Sequence, residues 1–97
     1  MIKIKTGVRP RNLVIAAALA NVSESEKLTL VITSGTDGSH MNSSKHYQGD
    51  ALDIRISNLT QGQILLVMAG LKARLGKDYD VILESDHIHC EWDAKVV

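Results

Sequence analysis

The 97-residue chain has no phenylalanine, two tyrosines, one tryptophan, one proline and one cysteine. A lone cysteine, Cys90, excludes an internal disulfide and any Cys-rich zinc framework, and it fits a reducing compartment. Long apolar runs are also missing. The longest, Leu13 to Ala20 and Ile64 to Ala69, fall far short of the roughly 20 residues that span a bilayer. The start, Met-Ile-Lys-Ile-Lys-Thr-Gly, has basic residues but no apolar core with a small-residue cleavage site, so the expectation is a protein made in the cytoplasm without a secretory signal. Charge of one sign is lacking too. Eleven basic residues balance eleven acidic ones, which argues against partners held by bulk charge: no nucleic acid and no membrane is expected.

What is present reads as one α+β domain over residues 1–97. Residues 2 to 6 suit a short edge strand, and Pro10 suits the first position of a helix continuing through Leu13 to Ala20. Val22 to Lys27 reads as a polar turn. Leu28, Leu30 and Ile32 then alternate as a buried strand. From Ser34 to Asp50 the apolar pattern stops, leaving a loop of the length usually reserved for function.

The pattern resumes with Leu52, Ile54 and Ile56 on one strand face, which puts Asp53 on the other. Thr60 and Gln63 have capping-box spacing, Ile64, Met68, Leu71 and Leu75 follow as one helical stripe, and Gly76 ends it. Tyr79, Val81 and Leu83 alternate as a strand, but the apolar parity then shifts to Ile88, Cys90 and Trp92. A period-two pattern changes phase only at a bulge or turn, placed here at Glu84 to Asp86. Asp37, Asp50 and Asp80 read as turn residues. The expected architecture is a small, mostly antiparallel sheet with two helices on one face and the other face open.

That open face carries the chemistry. His87, His89 and Glu91 share the side of their strand that Ile88, Cys90 and Trp92 do not use. His46 and Asp53 flank a segment in which Gly49 permits a bend. Two imidazoles and a carboxylate suit Zn²⁺ and leave the fourth tetrahedral position to water. The helical His-Glu-x-x-His signature is absent. Cys90 faces away from His89, as a packed thiol would. Tyr47 and Trp92 adjoin the ligand motifs and are either cleft walls or core fillers.

The run Ser43-Ser44-Lys45-His46-Tyr47-Gln48-Gly49-Asp50-Ala51-Leu52-Asp53 resembles the Ser-x-His-x-x-Gly-x-Ala-x-Asp motif of the zinc D-Ala-D-Ala carboxypeptidase and L-alanyl-D-glutamate endopeptidase group, whose fold is shared with the hedgehog signalling domain. Asp86-His87-Ile88-His89 is similar to the closing Asp-His-x-His element of that group, and Thr33 to Gly38 resembles the segment leading into its site. The short length looks like phage or prophage members. The resemblance implies the hedgehog/DD-peptidase fold, with His46, Asp53 and His89 as zinc ligands, Asp86 as general base and His87 as either a partner behind the ligands or a transition-state partner. Glu84 and Glu91 are the other base candidates. It implies hydrolysis of a peptide bond in peptidoglycan stem peptides, with release to the cell wall during phage lysis. The group's upstream substrate-pairing Arg is replaced here by Thr36-Asp37. Arg55 and Lys45 are the cationic substitutes, and His40, Ser44 and Tyr47 lie near enough in sequence to contact substrate. A second reading keeps the metal and drops catalysis, making the domain a phage structural or interaction module.

Overall fold

The computed structural model describes residues 2–4, 10–34 and 51–93, with the side chains of residues 10, 11 and 34 outside that description. Among the described residues the order is β1 (Ile2–Ile4), α1 (Pro10–Glu26), β2 (Leu30–Ser34), β3 (Ala51–Arg55), α2 (Gln61–Leu75), β4 (Tyr79–Leu83) and β5 (His87–Trp92). The five strands form one sheet in the order β1-β2-β3-β5-β4. β1 and β2 are parallel and the other three pairings are antiparallel, so the sheet is mixed.

Each crossover helix returns the chain against the strand it follows. Because β2 and β3 are antiparallel, α1 and α2 must also run antiparallel to one another. Both helices pack on the same sheet face. Ile15, Leu19 and Val22 of α1 and Val67 and Leu71 of α2 join Leu30, Ile32, Leu52, Ile54, Val81, Ile88 and Cys90 in one buried aliphatic cluster. These strand residues are the alternate positions of a period-two pattern, so Asp53, Arg55, His87, His89 and Glu91 are left on the opposite face, which no helix among the described residues covers.

α1 runs through the segment that reads as a turn, and here the sequence expectation fails. Val22 and Ser23 are fully buried on the same stripe as Ile15 and Leu19, so tertiary packing holds the last turns helical despite the Ser-Glu-Ser-Glu composition. The Ser23 hydroxyl then donates to the Leu28 carbonyl at 2.5 Å, and Lys27 takes the left-handed conformation (φ 55°) that turns the chain out of the helix. α2 starts as expected: Gln63 N–H donates to Thr60 Oγ1 at 3.1 Å, and the Gln63 side-chain carbonyl accepts from Thr60 N–H at 2.8 Å. Asp80 is a strand residue opposite Glu91 rather than a turn residue. Leu83 keeps strand parity but is about half exposed, because it sits at the end of the edge strand.

Two glycines in α2 separate packing from propensity. A Cβ on Gly70 would sit 2.9 Å from Val22 Cγ2, a buried core atom, whereas one on Gly62 would meet nothing within 4 Å. Gly70→Ala is expected to lose about 1 kcal/mol net, the helix-propensity gain being outweighed by displacement of Val22, while Gly62→Ala gains about 0.5 kcal/mol. Urea melts of the two variants should therefore move in opposite directions from the parent.

Candidate metal centre

The hairpin between β4 and β5 explains the parity shift. Glu84 N–H donates to the His87 carbonyl at 2.9 Å, Leu83 pairs with Ile88, and Ser85-Asp86 form the two-residue loop. The phase change is thus a turn and not a bulge. It starts β5 with its imidazoles outward. The β3–β5 register then sets Asp53 opposite His89 and Arg55 opposite His87. A true bulge lies in β2, where one extra residue between the Ile32–Ile54 and Ser34–Asp53 pairs brings Thr33 to the rim of the site.

Asp53 is the hub. Its carboxylate is buried although it lies on the open face, because Leu52 and Ile54 on either side are locked into the core. Asp53 Oδ1 lies 2.9 Å from His89 Nδ1 and 3.5 Å from His87 Nε2. Each imidazole turns its other nitrogen to an outer carboxylate: His89 Nε2 lies 2.7 Å from Glu91 Oε1, and His87 Nδ1 lies 2.5 Å from Asp86 Oδ1. Glu84 Oε1 approaches His87 Nε2 at 3.6 Å. Outer carboxylates that accept an N–H fix the tautomer and aim the remaining lone pair inward, as second partners of metal-ligating histidines do.

This donor set fits a divalent cation. Two donors on one tetrahedral Zn²⁺ stand about 3.4 Å apart, which follows from metal–ligand bonds of roughly 2.1 Å. The two distances at Asp53 Oδ1, 2.9 and 3.5 Å, bracket that value. Asp53, His87 and His89 thus form a group able to hold an ion of the nitrogen-and-oxygen-binding class. A second group, Asp80, Glu91 and Asp93, adjoins it and contains only carboxylates.

Without a metal the same arrangement binds a proton. The Asp53 carboxylate is the main cause of a His89 pKa pushed up to about 9; Glu91 adds to the rise and burial opposes it. Burial raises the Cys90 thiol to about 12, so it is an inert core group, as its strand parity indicates.

The open face is hollowed into a cleft of about 490 Å³ lined by Thr33, Asp53, Arg55, Ser57, Asp86 and His87. Arg55 is half-buried and makes no ion pair among the described residues. Of the residues singled out in the sequence, Asp53, His87, His89, Asp86 and Arg55 thus converge. His46, which the resemblance makes a ligand, lies outside the described residues, as do His40, Ser44, Lys45 and Tyr47. Trp92 is half-buried on the edge of the packed face. Ser57, which a turn brings in, was not foreseen; Thr33, which the resemblance puts in the segment leading into the site, reaches the rim through the bulge. The partnership of Glu91 with His89 was legible in their i,i+2 spacing.

No protein-family model matches the chain, and no curated protein matches it. No helix among the described residues is long and apolar enough to cross a membrane.

The raised His89 pKa sets a sign for stability. In chelated protein His89 contributes fully below its unfolded pKa near 6.5, and the contribution is lost as pH rises through about 9. Denaturant melts in chelator should show about 1–2 kcal/mol less stability at pH 9.5 than at pH 6, after allowance for solvent screening. The decline should be absent in His89→Gln and suppressed by saturating Zn²⁺, which replaces the proton.

Proposed function

We propose that the chain is a zinc-dependent metallopeptidase that hydrolyses a peptide bond in peptidoglycan stem peptides, as small phage members of the zinc DD-peptidase group do. The observation that carries this reading is the convergence of Asp53 and His89, each from one of the two separated motifs, at 2.9 Å beside an open cleft. Asp53 and His89 would hold the ion, with His46 as the third ligand by the motif. Bound there, zinc would supply Lewis acidity toward the substrate carbonyl and lower the pKa of a water.

The remaining residues act on the substrate. His87 lines the cleft, whereas His89 does not, and its side chain is twice as exposed, 27% against 14%. In this reading the His87 imidazole faces the carbonyl oxygen on which negative charge develops, with Asp86 holding its Nδ1. Asp86 also lines the cleft; its carboxylate fixes the His87 ring and is positioned to take a proton. Arg55 offers a guanidinium for a substrate carboxylate in place of the missing upstream Arg.

Two measurements test this. Asp53→Ala and His89→Ala should lose stoichiometric zinc, while His87→Ala keeps zinc and loses about 100-fold in amine release from purified stem peptides. If the zinc-loaded parent releases no new amine from stem peptides, the enzyme reading fails and the chain is a metal-binding module. Arg55→Gln should raise KM for substrates ending in a free carboxylate by about 10-fold or more and leave their C-terminal amides unaffected.

A further inference from the structure

The separated motifs assign the ion to His46, Asp53 and His89 and leave His87 beside it. The His87 ring is set for a closer role. Its Nδ1 lies 2.5 Å from Asp86 Oδ1. A carboxylate can only accept there, so a neutral ring carries its proton on Nδ1 and its lone pair on Nε2. That lone pair lies between two further carboxylate oxygens, Asp53 Oδ1 at 3.5 Å on the inner side and Glu84 Oε1 at 3.6 Å on the outer side. Both separations exceed the roughly 2.7–3.2 Å of an N–H···O hydrogen bond and fall close to the roughly 3.4 Å between two donors on one tetrahedral ion. His89 differs: its 2.9 Å approach to the same Asp53 oxygen is a hydrogen-bond distance. Three carboxylates around an imidazole with one N–H to share favour a cation at Nε2.

We propose that His87 Nε2 ligates the ion in the substrate-free protein and thereby closes the site, and that the ring turns out to Glu84 when a substrate group takes its place. The proposal deepens the peptidase reading and rests on it only for what that substrate is. The donors it needs are on the sheet: Asp53, His87 and His89 each offer one atom within 4.8 Å of the other two. Asp86 does for His87 what Glu91 does for His89, holding one ring nitrogen so that the other faces Asp53.

With His46 added by the motif, the ion has four protein donors, the closed set of a structural zinc site, and hydrolysis requires one of them to leave. His87 is the one placed to do so. It begins β5 directly after the turn and lines the cleft. Glu84 gives it a second position, since that carboxylate is about half exposed at the rim whereas Asp53 is buried, so passing from one to the other carries the ring from the ion toward solvent. His89, held by Asp53 and Glu91 on opposite ring nitrogens, has no such alternative. The substrate-free chain thus carries its own inhibitor, displaced by any cleft ligand that holds the ion better than one imidazole does.

NMR of the ¹¹³Cd²⁺-loaded, ¹⁵N-histidine-labelled full chain tests this, with acetohydroxamate, a small bidentate oxygen ligand for such ions, as the probe. Splitting of ¹⁵N by ¹¹³Cd is expected at His87 Nε2 as well as at His89 Nδ1. Saturating acetohydroxamate should abolish it at His87 and leave it at His89. In protein kept in excess zinc, His87→Ala should bind acetohydroxamate about 10-fold more tightly than the parent, because a ring that covers the ion about nine-tenths of the time lowers apparent affinity by that factor. Loss of a merely structural side chain would weaken the probe and not tighten it. An unsplit His87 Nε2, splitting there that survives the probe, or a His87→Ala variant that binds acetohydroxamate no more tightly than the parent would each overturn the proposal. Splitting at His87 in a protein that releases no amine from stem peptides removes the peptidase reading and leaves the switch standing.

Discussion

The imidazole of His89 is held between two carboxylates, Asp53 on one ring nitrogen and Glu91 on the other. A neutral imidazole has one N–H and one lone pair, so it can satisfy only one acceptor. The second contact demands a cation, either a proton on the ring or a metal ion between nitrogen and oxygen. Folding therefore creates an electropositive requirement at one point of the open face. Cation binding and folding are linked there: what stabilises the folded chain at low pH is a proton, and a divalent cation fits the same position at high pH.

That requirement is imposed by the core. Asp53 lies between Leu52 and Ile54, both fully buried, and His89 lies between Ile88 and Cys90, also fully buried. Moving either functional side chain means dislodging two core neighbours, so the site inherits the stiffness of the packed face. The β3–β5 pairing then converts sequence parity into proximity, because a one-residue slip would bury both groups among aliphatic side chains.

Much of this is legible in the sequence, and the failures have physical causes. The α2 helix, with its Thr60–Gln63 box and Gly76 stop, is determined by local interactions and reads correctly. So does the opposite facing of Asp53 and Leu52, which needs only the strand period. The last two turns of α1 do not read correctly, since Val22 and Ser23 are held helical by partners far away in sequence. Periodicity could place His87, His89 and Glu91 on one face, but it could not say that β5 would lie against β3 rather than at an edge. The hub role of Asp53 follows from that long-range pairing, and the exposure of Thr33 at the cleft follows from a bulge with no local sequence signal.

His87 and His89 have the same chemistry and sit two residues apart, yet position gives them different surroundings. His89 is the less exposed, closer to Asp53, and absent from the cleft wall; its surroundings favour permanent occupation by a cation. His87 begins the strand, immediately after a two-residue turn, where the sheet gives way to solvent and the cleft opens. Its ring is steered by Asp86, a residue of that turn and itself a cleft wall. A group at this rim is reached by solvent while its neighbour is packed more tightly. In the proposed reading, the hairpin divides one short His-x-His element into a half that would hold the ion and a half that would act on what binds beside it.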